Sequence, residues 1–423
     1  MREMKDSGVE WIGEIPKDWH ITQTRRLFRN EKNIVGDAAD EYERLALTLK
    51  GVIKRSKNDS EGLQPEKFEG YQILRQNELV FKMIDLENVN TSRVGLSPYT
   101  GLVSPAYIVL KNDSDDNRYE YYWFMSMYYN EVFNHLGGDG VRSALNVKDM
   151  LSLPIPNISK IQKKTLADYL NAKCSKIDEI IEKQQSIIEK LKEYKLSVII
   201  ETVTKGLNLN VEMKDSGVEW IGQMPTSWDC TTVGMIATVV RGASPRPAGD
   251  PRYFNGNDVP WITVAEVTKG DGKYIDETET FLTFEGAKQS RIVEEGTLLL
   301  SNSGATLGVP KITRIRGCIN DGSVAFYNLS INQEFLLYLF KGRTFELRKQ
   351  MQGYGQPNLN TTIVKGIEVP LPTELEQKAI VDFLDQKCTA IEKTIEDREK
   401  AIEKLQKYKK SLIYEVVTGK KEV

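Results

Sequence analysis

The chain has 423 residues, with 57 Lys and Arg against 60 Asp and Glu, a net charge of −3 and 40% hydrophobic residues. That is the make-up of a globular protein long enough for two or three cores, and it argues against a histone-like polycation. Two His and four Cys without a CxxC pair argue against a Cys/His zinc site and a His-dependent catalytic triad.

The ten residues from Met4 to Gly13 return unchanged from Met213 to Gly222, an offset of 209. Glu189–Lys195 returns with two changes as Glu403–Lys409, an offset of 214. About half the chain is therefore one repeat unit. The stretches between these markers are not visibly repeated. A kept frame with varied inserts suits a protein that recognises two different things at a fixed separation.

Behind each repeated decamer lie a proline and a tryptophan, Pro16 and Trp19, then Pro225 and Trp228. Each opens a head of short β-rich runs bounded by Gly, Asn and Pro. In the first head, 78–84 and 104–110 are predicted strands, followed by an aromatic helical stretch at 119–124. A glycine-rich turn at 138–140 and the pair Leu145-Asn146 close it. In the second head the matching strands are 296–301 and 322–327. The helical stretch is 333–340, and the turn at 353–355 precedes Leu359-Asn360. Aromatic side chains at this density are core rather than base-stacking platforms.

Each head ends in an extended Pro-x-Pro, at Pro154 to Pro156 and Pro370 to Pro372, and a rod follows. In the first rod apolar residues recur in a 4,3 rhythm at Leu170, Cys174, Ile177, Ile181, Ile188, Leu191 and Val198. In the second they are Leu384, Cys388, Ile391, Ile395, Ile402, Leu405, Leu412 and Val416. This is the seam of helices that wrap around each other. Gly206 and Gly419 are the stop signals. Gln184 and Arg398 interrupt the two seams at equivalent positions, and are expected to set register by facing each other in an antiparallel pair. A helix of ~40 residues is ~60 Å long. Two such rods would form a ruler with one head at each end. An amphipathic helix packed on its own head is the alternative.

The expected fold class is α+β, two globular α+β heads separated by two long helices in an antiparallel coiled coil. The expected segments are 1–157 (first head), 158–206 (first rod), 207–372 (second head) and 373–423 (second rod). No P-loop and no G-x-G-x-x-G at a strand–helix junction is present. Asp250-Pro251-Arg252-Tyr253 is similar to an amino-methyltransferase motif, but Arg252 breaks it and no glycine-rich cofactor strand accompanies it. The chain is not expected to catalyse a reaction alone. The absence of a secretory leader and of any ~20-residue apolar run, together with sparse cysteines, leads to the expectation of a cytoplasmic protein.

Several segments together carry a resemblance. They are Trp11-Ile12-Gly13 before Pro16 and Trp19, and Trp220-Ile221-Gly222 before Pro225 and Trp228. With them go residues 241–245, 301–308 and 355–360, then Pro370-Leu371-Pro372 and Glu376-Gln377 ahead of the second rod. In order and duplication this resembles the specificity subunit of type I restriction–modification systems, over essentially the whole chain. The first copy departs from the pattern, with residues 141–144 in place of Gln356-Pro357-Asn358 and Gln162-Lys163 in place of Glu376-Gln377.

The resemblance implies a non-catalytic DNA-binding subunit whose heads each read one half of a bipartite asymmetric site. The rods would set the unread spacer and dock two methyltransferase subunits, with restriction and translocase subunits joining. S-adenosylmethionine, ATP and Mg would belong to those partners, and no cofactor or metal to this chain. The candidate contacts to double-stranded DNA in the second head are Arg241, Ser244, Arg246, Ser303, Thr306, Tyr354, Gln356 and Asn358. In the first they are Lys50, Lys54, Arg55, Arg93, Arg142 and Ser143. Arg and Lys suit phosphate or guanine, Gln and Asn adenine. An interaction scaffold without DNA binding is the rival reading.

Overall fold

The computed structural model describes residues 2–59, 67–84, 92–136, 144–208, 210–304, 306–350 and 359–423. The fold is α+β. Its two dominant helices run over Lys160–Lys205 and Glu374–Val417. The chain divides into two compact units, Met1–Gln184 with Glu399–Val423, and Gln185–Arg398. The division cuts each long helix at the two seam interruptions. Gln184 and Arg398 are each half-buried there.

In the first unit the repeated decamer is a hairpin, Met4–Asp6 pairing antiparallel with Glu14–Pro16. It lies on the end of the second long helix, where Tyr414 donates to the Ile12 carbonyl at 3.0 Å and Lys420 to the same carbonyl at 2.7 Å. The extended Pro154–Asn157 is a strand, paired antiparallel with His20–Gln23. A four-stranded sheet contains the Arg44–Thr48 and Gly51–Arg55 hairpin, and a three-stranded sheet is built on Leu79–Phe81. The aromatic stretch is the helix Arg118–Tyr129. Trp123 and Phe124 are fully buried in one core with Ile12, Ile15, Trp19, Leu170, Cys174, Leu412 and Val416.

The helix halves of this unit run antiparallel. Lys409 Nζ lies 2.7 Å from Asp178, while Thr165 and Leu166, a few turns earlier, share a hollow with Gly419 and Lys421. The rod seam is buried at Leu170, Cys174 and Ile177. Burial pushes the Cys174 thiol up to about 11, which makes it an inert packing residue.

The second unit repeats this plan. Met213–Asp215 pairs with Gln223–Pro225, and Asp229–Thr232 with Glu368–Leu371. The core joins Ile221, Met224 and Trp228 of the decamer region to Ile199 and Val203 of the first long helix and to Ile380, Leu384 and Cys388 of the second. Lys195 pairs with Glu392 at 3.2 Å. Each head is also tied to its rod by an equivalent tyrosine. Tyr122 donates to Asn171 at 2.7 Å in one unit, and Tyr338 to Asp385 at 2.5 Å in the other.

The departure at Gln162 has a physical consequence. Glu376 uses one carboxylate oxygen to accept from the Thr373 amide and hydroxyl, and the other to accept from Trp228 Nε1 at 3.1 Å. Gln162 has a single acceptor oxygen, and it is taken by Ser159. Trp19 Nε1 is buried without a partner among the described residues. A hydrogen bond to a charged group contributes about 1.5–3 kcal/mol. Trp228→Phe is therefore expected to destabilise by about 1–2 kcal/mol more than Trp19→Phe, read from denaturant midpoints. Equal losses would show that the extra bond contributes nothing.

Candidate nucleic-acid interface

In the second unit three strands of a five-stranded sheet end side by side. Thr238–Arg241 pairs antiparallel with Ser323–Tyr327, and Ser323–Tyr327 antiparallel with Leu298–Ser301. The registers put Arg241 opposite Val324 and Ser301 opposite Ser323. The strands are there because Leu298, Leu299, Leu300, Val324 and Ala325 are fully buried in the sheet's packing layers. Segments 241–246 and 302–304 and the turn at 320–322 therefore leave the same end of one rigid support.

Asp321 in that turn gathers the first loop. Arg241 Nε donates to its carbonyl at 2.8 Å, and Ser244 Oγ to its carboxylate at 2.6 Å. Arg246 Nη2 lies 3.8 Å from the same carboxylate, with its side chain 72% exposed. An exposed ion pair contributes about 0–1 kcal/mol, so a phosphate can draw Arg246 away at little cost. The second loop folds on itself. Ser301 Oγ donates to the Thr306 carbonyl at 2.8 Å, and Gly304 and Gly308 take positive φ values of 79° and 83°. Ser303 is half-buried and Thr306 exposed. The Leu359 amide donates to the Asn302 carbonyl at 2.7 Å, which fixes the end of the third loop beside the second.

The structure thus brings Arg241, Ser244, Arg246, Ser303 and Thr306 to one sheet end. Tyr354, Gln356 and Asn358 lie outside the described residues, as do Arg142 and Ser143. In the first unit Lys50 is exposed at the turn of the Arg44–Thr48 and Gly51–Arg55 hairpin. Lys54 pairs with Glu43 at 2.6 Å and lies 5.1 Å from the Tyr99 ring centroid. The Glu43 carboxylate raises the Lys54 ammonium above its ordinary range. Arg55 pairs with Asp59 at 2.7 Å.

Arg93 requires correction. It is 2% exposed, and its guanidinium donates to the Ile84 carbonyl at 2.8 Å. It ties backbone together inside the first head and presents nothing to a groove.

Sequence reasoning passed over Asp321, whose Asn-Asp-Gly context looks like an ordinary turn. It also passed over Asn146 and Asn360 as helix caps. Asn146 accepts from the Lys148 and Asp149 amides in a capping box, and Asn360 from the Ile363 amide. The Asn-x-x-Asp spacing at 146–149 was the available signal.

Among the described residues no three His, Cys, Asp or Glu side chains gather to hold a metal ion, and no helix is long and apolar enough to cross a membrane.

A family model described as the type I restriction modification DNA specificity domain matches residues 225–403. Over 195 residues the chain is 31% identical to the type I restriction enzyme MjaIX specificity subunit of Methanocaldococcus jannaschii, covering 44% of this chain and 43% of the relative. It is 26% identical over 342 residues to the MjaVIII specificity subunit of the same organism, covering 76% and 74%. The match thus spans less than half of the first relative's length. Among solved structures, a chain from work on complex assembly and conformational transition of the type I R-M system superposes with a TM-score of 0.70 at 15% identity, covering 95% of this chain and 98% of that one. That likeness is one of fold.

Proposed function

We propose that this chain, whose residues 225–403 match the type I restriction modification DNA specificity domain and which is similar to type I specificity subunits, is the non-catalytic DNA-reading subunit of a type I restriction–modification complex. Each head reads one half of a bipartite, asymmetric duplex site. The long helices set the unread spacer and dock two methyltransferase subunits, and restriction and translocase subunits complete the assembly. S-adenosylmethionine, ATP and Mg serve those partners, in the cytoplasm.

The observation that carries this reading is the convergence of loops at one end of the second head's sheet. Loops on a rigid support are how a fold holds several side chains in register with base edges. Arg241 and Arg246 supply exposed cations for phosphate or guanine, and Ser244, Ser303 and Thr306 supply hydroxyls for either. In the first head Lys50, Lys54 and Arg55 are grouped on one hairpin and play the phosphate role. A chain with net charge −3 binds DNA through local grouping of charge and with help from its partners. The first and second heads differ in these residues, which suits two unlike half-sites.

The test is a selection from duplexes randomised at every position, using the full chain with its methyltransferase subunits. A motif of two short specified halves around an unspecified gap supports the proposal. Selection of no motif overturns it and favours the interaction scaffold.

A further inference from the structure

The two most exposed large apolar side chains among the described residues are Leu375, 82% exposed, and Ile161, 80% exposed. They occupy one position of the repeat, since 214 residues separate them, the offset that relates the two rods. Each is the second residue of a long helix, Lys160–Lys205 or Glu374–Val417. Neither joins the core of its unit.

Helix formation gives no reason for an aliphatic residue there. The first turn favours Asp or Glu, and each helix is already started by a hydroxyl at its cap, Ser159 with Gln162 and Thr373 with Glu376. The flanking residues have changed between the copies, Lys160 to Glu374 and Gln162 to Glu376, while the aliphatic character has stayed. One exposed aliphatic residue needs no explanation. The same one twice, in a chain whose heads have diverged, does.

Its surroundings are also built twice. Ile161 borders a hollow shared with Trp19, Leu166 and Gly419. Beside Leu375, Glu376 accepts from Trp228 Nε1. A methyl group on Gly419 would lie 3.1 Å from Trp19, and one on Gly206 3.1 Å from Trp228. In each unit, therefore, the glycine that closes one long helix packs on the tryptophan behind the decamer, next to the start of the other helix. Tyr194 and Tyr408, each 52% exposed, are a second equivalent pair along the same helices.

We infer that Ile161 and Leu375 are the apolar centres of two equivalent docking surfaces, each taking one methyltransferase subunit. This rests on the reading of the chain as a subunit that docks two of them. The duplication selects the occupant. The side chains proposed to read DNA differ between the heads, whereas this surface offers one chemistry twice, and that suits one partner bound in two copies. An exposed aliphatic side chain contributes to binding when a partner covers it and excludes water from it.

The test titrates the full chain with the methyltransferase subunit and follows the mass of the assembly by sedimentation. The chain is used as wild type, Ile161→Asp, Leu375→Asp and the double variant, with Ile161→Leu and Leu375→Ile as conservative controls. Wild type and both controls should take two subunits. Each single Asp variant should keep one site and bind at the other at least about 10-fold more weakly, and the double variant should be weakened at both. Melting temperatures of the free chains should match wild type, because Asp suits the start of a helix. Two unweakened sites in the double variant would overturn the inference. So would a lowered melting temperature in step with the lost binding, which is what a structural residue would give. Loss of self-association or of a restriction subunit, with methyltransferase binding intact, would also overturn it and assign the surface to that partner. A wild-type chain that binds no methyltransferase subunit is a separate outcome, which overturns the reading on which the inference rests.

Discussion

Gly242→Ala is expected to abolish reading of the second half-site. A methyl group there would sit 2.1 Å from the Asn320 carbonyl oxygen and 2.8 Å from the Ile319 carbonyl oxygen. Both contacts are to backbone, so no side chain can swing away. Gly242 is also hydrogen-bonded to the sheet end through the Ser323 carbonyl at 2.9 Å. The loop carrying Arg241, Ser244 and Arg246 must therefore leave the Asp321 turn. The expected cost is about 2–4 kcal/mol in stability, the range of severe single substitutions. Affinity for the cognate duplex should fall at least about 100-fold, since three positioned side chains are displaced together and each 1.4 kcal/mol is tenfold. Gly272→Ala, where nothing lies within 4 Å, is the control and should bind as wild type. Equal binding by the two variants in a gel shift would show that the Gly242 contact does not hold the loop.

Gly419→Ala is expected to destabilise the first unit by about 2–4 kcal/mol. Its φ of +72° is costly for any residue with a Cβ, and the added methyl would lie 2.4 Å from Pro16 Cγ and 3.1 Å from Trp19. Pro16 and Trp19 follow the first repeated decamer, so the clash pries the head's lead-in from the end of the second long helix. Gly8→Ala separates the two causes. Gly8 has φ +73° but open space around it, so it should cost only about 1–2 kcal/mol, the backbone share. Thermal unfolding of the two variants checks this. A Gly8→Ala loss as large as that of Gly419→Ala would mean that packing on Pro16 contributes nothing.

The two glycines also mark what could be read in the sequence and what could not. Gly419 was legible as a helix stop because it closes a long heptad rhythm, and the buried Leu170, Cys174, Leu384 and Leu412 follow that rhythm. Periodic burial is a local property, so it survives in one sequence without tertiary information. The proposed strands at 296–301 and 322–327 became Leu298–Ser301 and Ser323–Tyr327 for the same reason.

The site was less legible. Gly242 matters because of a carbonyl 78 residues away in sequence (242 to 320), and no spacing rule connects them. Asp321 organises the first loop only because three strands finish together. Arg93 was misplaced because charge alone does not distinguish a groove-facing guanidinium from one satisfied by backbone carbonyls in the interior.

The central claim is that each head is a separate reader of one half of the site. Exchanging residues 20–150 for the corresponding head of another member of the family tests it most directly. The methylated sequence is then determined across the genome of cells carrying the hybrid with its methyltransferase subunits. The account predicts that one specified half changes, while the other half and the length of the gap stay as in the wild type. A change in both halves at once, or in neither, would contradict it.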